Sequence, residues 1–305
     1  MSRFYVGTAG WSYEDWAGIV YPEKKETGFH PLPFLAGFID IVEINSTFYR
    51  TPAVSMSRYW IRRVEPYPDF LFTVKVHQVF THDRESWSQR DADEFRQGIE
   101  PLLAGNRLAS LLFQFPWSFI GTPAHHDYLV RLFQVFSGHP MAVEVRHSSW
   151  DNPGFYEMLS AHRVCYCNID QPVLRNSIRP SAVTTIPEFS YVRLHGRNYK
   201  EWFREGAGRD ERYNYLYARD ELQEWIDRIR QLGRNSEKVF IITNNHYRGQ
   251  AMANALQIKN MITEEKLDIP LTLLKTYPVL EDIVKKISKG QLDLFETGKQ
   301  ENGGS

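Results

Sequence analysis

Met141-Ala142-Val143-Glu144-Val145-Arg146-His147 is a short apolar run that ends in charge. Its first residues read as a strand packed on both faces, as in a parallel sheet. Glu144 and Arg146 are two apart and so point to one face. An unpaired buried charge is costly, so the two are either satisfied by each other or aimed at something. The pattern recurs at Glu43/Asn45, Thr73/Lys75, Asn168/Asp170 and Arg193/His195. Each pair closes an apolar run, and repetition around a closed sheet describes a pocket at the strand ends.

Working outward, eight strand candidates cover 4–10, 39–45, 70–76, 108–115, 141–147, 164–170, 189–196 and 239–245. Helical patterns over 54–64, 91–103, 128–136, 153–161, 219–232 and 249–262 separate most of them. In 219–232, Leu222, Ile226 and Ile229 form a helical stripe, with Trp225 beside it and Glu221, Glu224, Asp227 and Arg228 opposite. Strands alternating with helices imply a parallel sheet, and eight repeats match an α/β fold of the TIM-type (β/α)8 barrel. The rival is an open doubly wound sheet, which usually has a glycine-rich turn after its first strand. Gly7-Thr8-Ala9-Gly10-Trp11 is bulky where that turn needs glycine. The expected organisation is a single domain over 1–294, with long loops after strands 6 and 7 (171–188 and 196–218). A frayed polar tail is expected from 295.

The net charge of −1 announces no global basic surface for nucleic acid. Cys165 and Cys167 share one strand face, a poor geometry for a disulfide, and read as small buried residues. The start, MSRFYVGTAGW, lacks the pattern of a signal peptide, and no apolar run is long enough for a membrane span. A cytoplasmic setting and no membrane partner are the expectation.

A barrel of this kind keeps its active site where strands end. There the chain delivers Trp11; Asn45 and Tyr49; His82; Gln114; Asp170; and Asn244, Asn245 and His246. Glu43, Lys75, Gln114, Glu144, Arg146, Arg193 and His195 share the parity assigned to the lumen. An ion-pair ladder plugging the barrel would use these residues. So would a polar pocket with surplus positive potential for phosphate or carboxylate, which arginine binds in a bidentate manner. Glu43, Lys75, Glu144 and His195 are the candidate catalytic groups, with Glu43 or Glu144 as base and His195 as acid or shuttle. Trp11, Asn45, Tyr49, Gln114, Arg146, Asp170, Arg193, Asn245 and His246 are the candidate substrate contacts. A carboxylate pair would also suit glycoside cleavage, but the cations nearby disfavour the raised acid this requires. The four histidines His82, His147, His195 and His246 show no metal-binding spacing, and no metal or organic cofactor is expected. No nucleophile motif stands out.

At these residues the chain resembles the domain-of-unknown-function 72 family, also called YecE-like. The matching segments are GTAGWSYEDW (7–16), VEINSTFYR (42–50), FTVKV (72–76), THDR (81–84), LFQFPWSF (112–119), AVEVRHSSW (142–150), YVRLHGR (191–197) and NNHYRGQAMANAL (244–256). The resemblance implies a TIM-type barrel in the cytoplasm and supplies no reaction. Ala9, Trp117 and Ser148 stand where that family usually has serine, proline and proline. By analogy of fold the barrel is similar to those of xylose isomerases and apurinic endonucleases, although the endonucleases' metal motifs are not recognisable. The leading expectation is an enzyme working on a small anionic or phosphorylated substrate by acid–base chemistry. The alternatives are a non-catalytic ligand-binding protein and a nucleic-acid-binding, endonuclease-like barrel. The last would use Arg50, Arg84, Arg197, Lys200, Arg204 and Arg209.

Overall fold

In the computed structural model, which describes residues 2–285 apart from 25, 203 and 205–207, eight parallel strands close into a barrel in sequence order. They are β1 (Arg3–Ala9), β2 (Ile41–Ile44), β3 (Leu71–Lys75), β4 (Leu108–Gln114), β5 (Met141–Glu144), β6 (Val164–Asp170), β7 (Phe189–Leu194) and β8 (Lys238–Thr243). Every expected strand is present, most of them shorter at one or both ends. Helices α1 (Pro31–Ala36), α2 (Val54–Arg63), α3 (Gln89–Ala104), α4 (Pro123–Val135), α5 (Pro153–Ala161), α6 (Arg209–Arg212), α7 (Arg219–Asn235), α8 (Gln250–Thr263) and α9 (Leu271–Thr276) surround it. The domain limit at 294 and the tail from 295 lie outside the described residues.

Local signals start several helices. Ser88 and Asp91 exchange side-chain and backbone hydrogen bonds in a capping box at α3. Thr122 and Asn152 cap α4 and α5, each followed by proline at the first helical position, where its missing N–H costs nothing. The stripe read in α7 is buried, including Trp225. The short α1 and α9 are absent from the sequence reading, because they carry too few turns for a periodic signal. The crossover from β6 to β7 has no helix, and 171–188 runs as the irregular loop the sequence leads one to expect.

Contacts between non-adjacent strands identify the lumen. Tyr191 on β7 hydrogen-bonds Glu43 on β2 (3.0 Å) and Thr73 on β3 (2.8 Å), and such bonds must cross the barrel. Tyr191 and Arg193 therefore face inward. Register carries the inward face to Phe240 and Ile242 on β8 and to Cys167 and Ile169 on β6. The lower lumen is filled by side chains such as Tyr5, Phe189 and Phe240, whose rings pack at 5.3–5.7 Å. Cys165 and Cys167 are free and buried beneath the charged layer, where burial pushes both thiols upward and keeps them protonated. Gly7 permits the close approach of β1 and β2, because a Cβ there would fall 1.6 Å from the Ile41 carbonyl oxygen.

Candidate functional site

The upper lumen is built around Arg193. The side chain is 1% exposed, which makes its partners decisive. Its Nη2 donates to Glu43 Oε1 at 2.6 Å. Its Nη1 donates to Glu144 Oε2 and, at 3.2 Å, to Gln114 Oε1. One guanidinium thus ties β2, β4 and β5 to β7, with Glu43 and Glu144 both fully buried. The fork geometry of arginine makes this possible, whereas a lysine would offer one point charge. Arg146 adds a second cation, with Nε 3.0 Å from Glu144 Oε1.

His195 completes the cluster. Its Nε2 lies 3.1 Å from Glu144 Oε1, and its Nδ1 lies 2.9 Å from Asn244 Nδ2. The carboxylate requires a hydrogen on Nε2, so Nδ1 accepts from the asparagine amide. Burial first, then Arg193 and Arg146, lower its pKa to about 3 despite the opposing pull of Glu144. The imidazole is neutral at physiological pH and engaged at both nitrogens. Burial alone would raise Glu144, but Arg193, His195 and Arg146 outweigh it and hold the carboxyl well below its ordinary range. Both glutamates are thus tied up in ion pairs. The roles read from sequence for Glu43 and Glu144 as base, and for His195 as acid, meet groups already engaged in structure.

A cavity of about 670 Å³ opens above this layer. Its lining includes Trp11, Asn45, Tyr49, Lys75, Gln114, Arg193 and His246 among the sequence candidates. Lys75 rises from the end of β3, half-buried, with Nζ 3.9 Å from the centre of the Phe48 ring. Among the described residues no carboxylate lies within ion-pairing distance of it. Burial, then Arg193, lowers its pKa to about 7, with Glu43 and Glu144 pulling the other way. His82 shares the same wall, its ring edge-on to Phe48 at 5.0 Å. Burial, then Lys75 and Arg146, lower its pKa to about 4. Asn45 lines the cavity with its Oδ1 buried and unbonded. His246 stacks on Tyr13 at 4.6 Å between ring centres.

Two sequence candidates sit elsewhere. Asp170 and Asn245 are on the outward face, because Ile169 and Ile242 take the inward one. Asp170 is bonded by Arg197 at 2.9 and 3.2 Å and anchors the loop after β7 against α7. Asn245 donates to the Tyr215 carbonyl (2.7 Å) and to Asn254 Oδ1 (2.8 Å), fixing the same loop. Asn168, the partner of Asp170 in the repeated pattern, also faces outward and binds the backbone of Val183. Arg146 borders a neighbouring cavity of about 330 Å³ with Trp117, Gln171 and Trp202. Arg212 and Tyr213 stand between the two cavities and line both. These two, with Ser12, Ser46 and the buried Tyr191, are not among the sequence candidates for the site, whereas Asn244 is one of the strand-end residues the sequence delivers there. Tyr191 was accessible to the same argument, being two residues before Arg193. Arg212 ends the single-turn α6 and Tyr213 follows it, in a connection whose path no periodicity announces.

Among the described residues, no three His, Cys, Asp or Glu side chains gather as a metal ion would need, and no helix is long and apolar enough to cross a membrane. The architecture is a TIM-type barrel with a charged cluster and a cavity at the strand ends, where enzymes of this fold keep their sites. The chain belongs to the family described as protein of unknown function DUF72, whose profile matches residues 5–277. The UPF0759 protein YunF of Bacillus subtilis (strain 168) is 29% identical over 278 residues, covering 86% of this chain and 95% of its own. A crystal structure of a DUF72 family protein from Thermotoga maritima is 37% identical, with a TM-score of 0.75, over 86% of this chain and 99% of that one. A second, from Enterococcus faecalis, shares the fold at 22% identity and TM-score 0.75, over 88% and 98%.

Proposed function

We propose that the protein is a cytoplasmic enzyme that binds a small anionic or phosphorylated substrate in the rim cavity and works on it by acid–base chemistry. The observation that carries this reading is Lys75, a cation in the cavity wall without a carboxylate partner among the described residues. The charges around it balance: Glu43 and Glu144 against Arg193 and Arg146. Protonated Lys75, with Arg212 in the same lining, therefore leaves the pocket with surplus positive charge, which an anion would neutralise. A lysine with a pKa of about 7 is also suited to exchange protons near neutrality, a task for which Glu144 and His195 are held too far from pH 7.

The nucleic-acid alternative draws less support. Arg197 is paired with Asp170 and Glu221, and Arg204 with Glu201 and Glu211, so these members of the basic groove are neutralised locally. The side chain of Arg209 lies outside the described residues.

The test is thermal unfolding with inorganic phosphate and with small phosphorylated sugars, at about pH 6 and about pH 8.5 on either side of the shifted lysine. Phosphate should raise Tm at the lower pH, and the gain should fade at the higher one as Lys75 loses its proton. Lys75→Met should remove the gain at both. No gain from any anion at low pH, or a gain that Lys75→Met leaves intact, overturns the reading.

A further inference from the structure

The cavity that receives the anion also presents an amine in surroundings that favour its neutral, nucleophilic form. Two features converge on Lys75 Nζ. Half-buried in the cavity wall, it lies over the face of the Phe48 ring, a contact that favours the ammonium, while its withdrawal from water favours the neutral amine and prevails. The fields of Arg193 and Arg146 across the lumen oppose a further proton and those of Glu43 and Glu144 favour one, so burial tips the balance. Unlike those arginines, it has no ion-pair or hydrogen-bond partner among the described residues that would hold its lone pair or its charge. Apolar contact together with a neighbouring cation is a general way to activate a lysine toward carbonyl carbon. Polar groups for the accompanying proton transfers line the same cavity: His82, neutral and hydrogen-bonded to Thr81, and Tyr213.

We propose that Lys75 Nζ forms a Schiff base with a small aldehyde or ketone that carries an anionic group, such as a keto acid or a phosphorylated sugar. This inference rests on the anion-binding reading above and names the reacting bond. The neutral amine adds its lone pair to the carbonyl carbon, and the oxygen takes up a proton to give a carbinolamine. Loss of that oxygen as water leaves the protonated imine, which hydrolysis returns to amine and carbonyl. No oxidant or reductant enters. Arg193 and Gln114 at the cavity floor and Arg212 at its side are placed to hold the anionic end away from Nζ.

The experiment is reductive trapping of the intact protein with sodium cyanoborohydride and either pyruvate or dihydroxyacetone phosphate, read by intact mass and peptide mapping. At neutral pH the neutral fraction of Lys75 exceeds that of an ordinary lysine by about a thousandfold. One adduct per chain should therefore appear on the peptide containing Lys75 before any other lysine reacts. Its rate should rise with pH through about 7 and then level off. Lys75→Met should abolish it, and inorganic phosphate should compete. Modification scattered over other lysines and unchanged by Lys75→Met overturns the proposal. Phosphate binding without a Lys75 adduct sinks the Schiff base and spares the anion site. A Lys75 adduct that phosphate does not slow, formed equally with uncharged acetaldehyde, keeps the amine chemistry and sinks the anion reading.

Discussion

Arg193→Met should destabilise the protein by about 3–5 kcal/mol at neutral pH, the usual result of removing one member of a buried ion pair. At about 2–4 °C per kcal/mol for a domain of a few hundred residues, Tm should fall by roughly 6–20 °C. The direction follows from the partners. Glu43 and Glu144 are wholly buried, and each loses a short charge-assisted bond. Glu144 keeps Arg146 and His195, so it is left less exposed to the loss than Glu43, which among the described residues keeps only Tyr191. The pH dependence has a definite sign. The Glu144 pKa is lowered in the folded state, so its ionised form stabilises the fold above the ordinary value of 4.5, and that contribution disappears as pH falls through the folded value. The gap between wild type and variant should therefore be widest near neutrality and narrow below about pH 4.5. Urea unfolding at the two pH values measures it. Arg193→Lys should recover only part of the loss, because an ammonium cannot reach both carboxylates and Gln114 together. A loss under about 1 kcal/mol would mean that the carboxylates do not depend on the guanidinium.

The strong effect expected at one residue reflects how the sequence encodes this barrel. Strands buried on both faces read as apolar runs, so their number is legible in the pattern along the chain. That same burial removes the alternation that would tell inside from outside. Parity had to be inferred from charge, on the assumption that polar side chains at strand ends face the lumen. The assumption succeeded at Glu43, Lys75, Gln114, Glu144, Arg193 and His195, all brought to the upper lumen or the cavity above it. It failed on β6 and at the end of β8. Asn168 and Asp170 are polar because the crossover after β6 lacks a helix, so the outward face meets loop backbone and Arg197 instead of apolar side chains. Asn245 is polar for a related reason, since it holds the long loop after β7 through Tyr215. A polar residue at a strand end can therefore serve the outer shell, and only the identity of its partners, distant in sequence, distinguishes the two uses. The same limit hid Arg212 and Tyr213, which reach the cavity from the loop after β7.

Lys75→Met should make the protein more stable, the opposite of Arg193→Met, although the two side chains line the same cavity. Nζ forms no hydrogen bond or ion pair among the described residues, and methionine replaces its cation–π contact with the Phe48 ring by a thioether that can lie against the same ring. What the substitution removes is a charge held where burial and Arg193 disfavour it. The drop from 10.5 to about 7 would amount to nearly 5 kcal/mol if the whole shift counted. Because the side chain is only half-buried, about 2–3 kcal/mol is the expected gain at neutral pH or below. The sign of the pH dependence separates this cause from better packing. A lysine with a lowered folded pKa costs its full penalty below about 7, and the penalty vanishes as pH rises to the unfolded value of 10.5. The advantage of the variant should therefore be largest at about pH 6.5 and at least halved at about pH 9, as read by denaturant midpoints. Saturating phosphate, by neutralising the charge in the wild type alone, should close the same gap at low pH. A gain that does not change with pH would assign the effect to packing, and a loss of stability would show that the ammonium has a partner that supports the fold. Stability surrendered at a single cavity lysine is the pattern expected where a side chain is kept for chemistry rather than for folding.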